Sequence, residues 1–300
     1  MSQFVIDEKF LEHVELLSLA VKDNVAGLFG GNHKTKTYGS SCEFADYRDY
    51  LPGDDITKID WNAFARFDKL FLKLFLDERQ MHTRIYIDAS ASMGYFDKAK
   101  KALELAAIIA YLSIKSMDKV SIYYVRGHHI GEVFTNIVGK DAYFNEIVKL
   151  NDISFNGDCF MSDAIIPTMV GYGDGNTVII SDFLTDNNYE NVIDYLRGKK
   201  RDLLCVQVLA AEELNISYRG KVLLHDSENS QKYYKNNINR SVLEAYNEAI
   251  NYVTSRISNY CNIRNANYLL VPSDRSLEDI IFKDLMSMEI VRWVFYFHVA

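Results

Sequence analysis

The stretch Arg84-Ile85-Tyr86-Ile87-Asp88-Ala89-Ser90-Ala91-Ser92-Met93-Gly94 decides how the rest of the chain is read. A short run of strand character ends on a carboxylate, and small polar residues then open a turn. From about Phe96 to Met117 the spacing becomes helical, with Leu103, Ala107, Ala110 and Ile114 as an inward stripe. The unit is therefore strand, loop, helix, with chemistry-bearing side chains in the loop.

Working outward, the same rhythm repeats. Val120 to Val125 reads as a strand, Gly127-His128-His129 as a turn, and Ile130 to Phe134 as a return strand. Helices near 142–150 and 161–170 lead into Thr177-Val178-Ile179-Ile180, an apolar strand that runs out at Asp182. Helix 189–197, strand 203–209, helix 241–261, strand 268–271 and helix 277–288 follow. Apolar strands alternating with amphipathic helices predict an α/β fold, a doubly wound, mainly parallel, Rossmann-like sheet with helices on both faces. His128-His129 stands at the hairpin tip without a third metal ligand in sequence, so it reads as turn rather than site.

Two stretches break the alternation. Asp7 to Val21 predicts a helix and Gly27 to Ser41 a polar connection, after which Leu70, Leu72, Leu74 and Leu76 alternate as in a half-buried strand. Gly220 to Tyr234 reads as a hairpin, expected to join the strands before Arg79 in a small β-rich subdomain. The expected organisation is thus an N-terminal helix and β-rich segment over 1–80, an α/β domain over 81–290 with a hairpin insertion at about 212–238, and an apolar tail over 291–300.

Composition narrows the function. The 300 residues carry 33 basic and 41 acidic side chains, a formal charge of -8 that repels nucleic acid and anionic lipid. The N-terminal residues lack the basic and apolar regions of a secretory signal, and no apolar run reaches the roughly 20 residues of a membrane span. The four cysteines, Cys42, Cys159, Cys205 and Cys261, show no Cys-x-x-Cys spacing, which predicts reduced thiols in a cytoplasmic protein. The expected partner is a protein or a cation.

Asp88, Ser90 and Ser92 offer one carboxylate and two hydroxyls from one side of a turn, a donor set suited to a hard divalent cation. In a sheet of order 3-2-1-4-5-6 the first and fourth strands are neighbours at the switch point, so Asp182 is expected beside Asp88. The pattern resembles the metal-ion-dependent adhesion site of von Willebrand factor A domains. Upstream, Glu43-Phe44, Arg48, Tyr50, Pro52-Gly53-Asp54-Asp55, Ile59-Asp60-Trp61 and Ala65-Arg66 resemble the signature of the bacterial domain of unknown function 58 family. His225-Asp226-Ser227-Glu228, Tyr246 and Tyr268-Leu269-Leu270-Val271-Pro272 are similar to its C-terminal pattern.

That resemblance implies a von Willebrand factor A-like domain holding Mg²⁺ (or Mn²⁺ or Ca²⁺) at Asp88, Ser90, Ser92 and Asp182. It also implies a non-enzymatic adaptor that works with a MoxR-type AAA+ ATPase. The family places a Thr where Asn156-Gly157-Asp158-Cys159 stands, so Asp158 is either an added metal ligand or the N-cap of the helix near Met161. Pro52-Gly53 reads as a tight turn, and Asp54, Asp55 and Asp60 with Arg48 and Arg66 as a buried ion-pair lattice. The alternatives are a metal-free scaffold whose crest aspartates are capped by lysines or backbone amides, and a Mg²⁺-dependent haloacid-dehalogenase-like phosphatase with Asp88 as nucleophile. The phosphatase lacks the expected second acid, because Ser90 stands where the leaving group needs a proton donor.

Overall fold

The computed structural model describes residues 6–28, 38–76, 81–171, 175–184, 188–216, 220–225 and 233–288. In chain order the elements are α1 (Glu8–Leu28), β1 (Tyr38–Asp49), α2 (Trp61–Phe67), β2 (Phe71–Leu76), β3 (His82–Asp88), α3 (Lys98–Lys115), β4 (Lys119–Arg126) and β5 (His129–Ile137). They continue as α4 (Lys140–Ile147), α5 (Met161–Ile165), β6 (Asn176–Ser181), α6 (Glu190–Gly198), β7 (Asp202–Leu209) and α7 (Ala211–Leu214). β8 (Gly220–His225), β9 (Tyr233–Ile238), α8 (Arg240–Ile263), β10 (Asn267–Pro272) and α9 (Leu277–Asp279) complete the set, α9 running into a π-helical turn, Ile280–Leu285.

The chain divides into two units, residues 24–80 and the remainder. The larger holds a six-stranded sheet of order β10-β7-β6-β3-β4-β5. Every neighbouring pair is parallel except β4 with β5, which is an antiparallel hairpin edge. Counted along this sheet, the order is the doubly wound one expected, and β3 and β6 meet in register at Ile87↔Ile180. Their C-terminal ends therefore form the switch point, where an open α/β sheet binds its ligands.

Helices close both faces. Tyr86, Val125, Ile179 and Cys205 point to one side and pack with Ile165, Val192, Ile193, Leu196, Ile257 and Cys261 of α5, α6 and α8. α3 packs on β3, β4 and α4, and Ala102 to Ile114 is buried without a break. The expected inward stripe of four residues is thus too narrow: α3 is enclosed on all sides, as an apolar helix with alanines at close contacts can be.

Two expectations on organisation change. The first part of α1 belongs with the sheet-bearing unit rather than with the segment up to residue 80. Val14 and Val21 are buried there, the Ile6 amide donates to Asn151 Oδ1 at 2.7 Å, and His13 bonds Glu278. β8 and β9 pair with each other in one two-stranded sheet and β1 and β2 in another, so the hairpin does not extend the strands before Arg79. The hairpin tip at 226–232 and the apolar tail at 291–300 lie outside the described residues. Among the described residues no helix is long and apolar enough to cross a membrane.

Within the smaller unit the signature residues build turns and caps. Gly53 takes a φ of 107°, where a side chain would be strained, and so closes the turn begun by Pro52. Asp54 accepts from the Leu51 amide at 2.8 Å and from Arg48 at 2.8 Å. Asp55 caps a short 3₁₀ turn through the Thr57 amide. Asp60 caps α2 through the amides of Asn62 and Ala63, while its second oxygen takes the Tyr47 hydroxyl at 2.7 Å and Lys73 at 3.3 Å. The Tyr47 bond comes first among the influences that hold the Asp60 carboxyl down at about 2.

The ion-pair lattice is therefore corrected. Among the described residues only Arg48–Asp54 of the expected pairs forms, and both side chains are partly exposed. Trp61 is 61% exposed, Arg66 is exposed in the last turn of α2, and the Tyr50 amide pairs with the Leu70 carbonyl. Three aspartates in a short stretch are used chiefly as backbone acceptors, because their side chains satisfy amides that helix and turn starts leave unpaired.

Candidate functional site

β3 delivers Asp88 to the crest of the sheet, 5% exposed. The chain turns at once, and the Ser90 amide donates back to Asp88 Oδ1 at 2.8 Å. Ser90 and Ser92 then stand together, their hydroxyl oxygens 3.1 Å apart. From the neighbouring strand, Ser181 Oγ donates to Asp88 Oδ2 at 2.6 Å and accepts the Phe183 amide at 2.9 Å. Phe183 has a φ of 51° and a buried ring, so the turn after β6 is held in a conformation bulky residues rarely adopt.

Asp182 follows Ser181 and is 2% exposed. Its Oδ1 accepts the Leu184 amide at 3.1 Å, its Oδ2 accepts the Lys98 ammonium at 2.9 Å, and its carbonyl accepts Gln207 at 2.7 Å. Tyr268 donates in turn to Gln207 at 2.6 Å, so β10 and β7 brace the crest from beneath. Lys98, 1% exposed, also donates to Glu213 Oε1 at 2.6 Å. The other oxygen of Glu213 takes the Ala210 amide at 2.8 Å at the start of α7.

The electrostatics follow from this geometry. Burial raises the Asp88 carboxyl above its ordinary range, and the charge of Asp182 adds to the rise; bonds from Ser181 and Ser90 pull the other way without cancelling it. Burial pulls Lys98 down, but the carboxylates of Asp182 and Glu213 outweigh that and leave it raised. Three carboxylates (Asp88, Asp182, Glu213) against one ammonium (Lys98) leave two formal negative charges at the crest when all are ionised.

Of the expected site residues, the structure brings Asp88, Ser90 and Ser92 together and sets Asp182 beside them. It does not bring in the Asp158 carboxylate. The backbone around Asp158 is stitched to the crest: Ala91 donates to the Gly157 carbonyl at 2.8 Å, and Asn156 donates to the Ala89 carbonyl at 2.9 Å. The side chain itself is exposed. Nor does it cap α5, whose N-cap position is Phe160. Lys98, Ser181 and Glu213 were not expected here. Ser181 could have been suspected as the hydroxyl preceding Asp182, whereas nothing in the local pattern marks Lys98 or Glu213.

The donor chemistry fits a hard cation. Two oxygens on adjacent corners of an octahedral Mg²⁺ at about 2.1 Å stand about 3.0 Å apart, close to the Ser90–Ser92 separation. Asp88 Oδ1 accepts the Ser90 amide and Oδ2 the Ser181 hydroxyl, the Ser90 hydroxyl also acts on the carboxylate, and all of these partners are neutral. Among the described residues no three His, Cys, Asp or Glu side chains converge as a metal-ligand set, so any ion here would rest on the serine hydroxyls beside Asp88.

An open α/β sheet with an Asp-x-Ser-x-Ser loop at its switch point defines a von Willebrand factor A-like domain. The chain belongs to the DUF58 family of proteins of unknown function, whose model matches residues 46–254. It is 25% identical over 235 residues to the uncharacterized proteins Rv1480 of Mycobacterium tuberculosis strain H37Rv and Mb1516 of Mycobacterium bovis, covering 74% of this chain and 72% of each of those. Among solved structures it is similar to an aerotolerance-related membrane protein from Bacteroides fragilis (TM-score 0.35, 14% identity, 69% of this chain and 100% of that one). It is also similar to the SpRpn10 VWA domain (0.37, 10%, 71% and 97%) and to a manganese-loaded TRAP protein of Plasmodium vivax (0.34, 13%, 42% and 56%). At these scores the likeness adds nothing to the strand order already described.

Proposed function

We propose that the protein is a metal-dependent protein-binding adaptor whose ion sits at the crest. Asp88, Ser90 and Ser92 would hold it, with Asp182 as a neighbouring charge, and the hard-oxygen set favours Mg²⁺ or Mn²⁺. A bound ion would supply a Lewis-acidic centre for an oxygen ligand from a partner protein. The residues of the chain position that centre: Ser181 and the Ser90 amide orient the Asp88 carboxylate, and the Gln207–Tyr268 pair fixes the turn that carries Asp182. The observation that carries this reading is the pair of serine hydroxyls 3.1 Å apart beside a buried carboxylate that has no ammonium or guanidinium against it among the described residues.

The partner class comes from the family resemblance, which points to a MoxR-type AAA+ ATPase; a cytoplasmic location goes with that partner. Thermal melting and affinity capture test the two parts together. Millimolar Mg²⁺ or Mn²⁺ is expected to raise the melting temperature of the wild type and to leave Asp88→Ala unmoved, since an ion bound only by the native state must stabilise it. Capture of the ATPase is expected to need both the ion and Asp88. A wild type whose melting temperature ignores both ions would end the metal reading. Capture that survives chelation would end the coupling to the partner.

A further inference from the structure

Lys98 occupies a position that local electrostatics oppose. It is the first residue of α3, in a first turn with no acidic residue, and the positive end of a helix repels a cation. Its side chain is 1% exposed, so its charge is also stripped of water. A lysine offsets two such penalties only through its partners, here Asp182 at 2.9 Å and Glu213 at 2.6 Å. Buried ion pairs contribute little net stability in general, so strength of folding alone is a poor reason for this one.

Its consequence for the crest is specific. Each oxygen of Asp182, like each of Asp88, accepts a hydrogen bond, but among the described residues only Asp182 has an ammonium against it, Lys98 on Oδ2, with the Leu184 amide on Oδ1. We propose that Lys98 is a built-in counter-ion that withholds Asp182 from the metal, leaving ligation to Asp88, whose partners among the described residues are neutral. The proposal rests on the metal reading above and adds what sets the affinity of that site. Glu213, tethered by the Ala210 amide, keeps the ammonium in place from the far side. The centre is thereby kept weakly bound and strongly charged, instead of being a two-carboxylate trap for the ion.

Calorimetric titration of the full chain with Mn²⁺ tests this. Lys98→Met is expected to bind the ion about tenfold more tightly than the wild type, the scale of effect an opposite charge has at contact distance. Lys98→Arg, which keeps the charge, is expected to stay near the wild-type value. The double variant Lys98→Met/Asp182→Asn is expected to lose the gain, because the gain belongs to the released carboxylate. Unchanged or weaker binding by a folded Lys98→Met, or a gain that persists in the double variant, overturns the proposal. Should Lys98→Met fail to fold, Glu213→Gln decides: Lys98 then serves Asp182 alone and binding is expected to weaken severalfold, and equal binding overturns the proposal. A wild type that takes up no Mn²⁺ removes the metal reading and this proposal together, whereas a wild type that binds and a Lys98→Met that does not gain removes only this one.

Discussion

The two ends of the central sheet resolve buried charge in opposite ways. At the base, Arg201 is 2% exposed and spends its guanidinium on neutral oxygens: Thr177 Oγ1 at 2.9 Å, the His82 carbonyl at 2.6 Å and the Asn176 carbonyl at 2.9 Å. Burial and then Arg84 bring its pKa down to about 10, which still leaves it charged at neutral pH. His82 beside it is held at about 4 by burial and then by Arg84, Arg201 and Lys119, so it is neutral there. At the base the buried Arg201 is thus tied to neutral oxygens, while Arg84 Nη1 and Asn176 Oδ1 nearby are buried with no hydrogen-bond partner among the described residues. At the crest, carboxylates outnumber the ammonium and hydroxyls stand in a pair with acceptor capacity to spare. One end keeps a cation among neutral oxygens; the other holds more carboxylates than ammonium, two formal negative charges when all are ionised.

The largest effect that would sharpen this contrast is expected at the base. Arg201→Met removes donors that link β3 to β6 and strands two carbonyls, so stability is expected to fall by about 3 kcal/mol in a denaturant titration. Mn²⁺ affinity, measured on the variant while still folded, is expected to stay at the wild-type value. A change in metal affinity as large as the loss in stability would dissolve the distinction between the two ends.

A smaller change of opposite sign is expected at Asp118, also at the base. It is 5% exposed and accepts the Met81 amide at 3.0 Å, but burial dominates and pushes its carboxyl up to about 6. Because the native state holds this proton more firmly than the unfolded chain, Asp118 is harmless below about pH 4 and destabilising once the pH exceeds 6. Asp118→Asn keeps the acceptor and removes the charge. It is expected to gain about 2 kcal/mol at pH 7, with the gain shrinking to nothing as the pH falls from 6 to 4. Equal gains at pH 4 and pH 7 would show that charge burial is not its cause.

What the sequence disclosed follows from range. β3, β4, β6, β7 and β10 are apolar runs bounded by turns, and from their alternation with helices the strand order was readable, including the neighbours that bring Asp182 to Asp88. The start of β1 reads as polar connection, because Tyr38-Gly39-Ser40-Ser41-Cys42 has no alternation and becomes a strand only by pairing with β2, with irregular register at Gly39 and Phe44. α2 is seven residues long, too short for periodicity to show, and is started by the Asp60 cap. Lys98, Asp182 and Glu213 are separated by 84 and 115 residues of chain from the lysine outward, and a lysine after Asp97 reads locally as surface. A pattern confined to a loop can be read from residue types; a contact that depends on where three loops meet cannot.

The smallest expected effect concerns Asp158, where residue type alone misleads. Its carboxylate beside a metal loop suggests a third anionic ligand and a tighter site, with Asp158→Thr weakening the ion. The fold argues otherwise. Gly157 takes a φ of 68° and its carbonyl is pinned by Ala91, the Asp158 carbonyl accepts the Gly127 amide, and the side chain is left outside in solvent. An exposed charge at that remove is screened by water and salt. Asp158→Thr is therefore expected to change Mn²⁺ affinity by less than about threefold, and the change should vanish in added salt. A tenfold loss that resists salt would mean that the carboxylate turns inward when the ion arrives, and the crest would then be a three-acid centre that no longer needs a partner's oxygen to balance it.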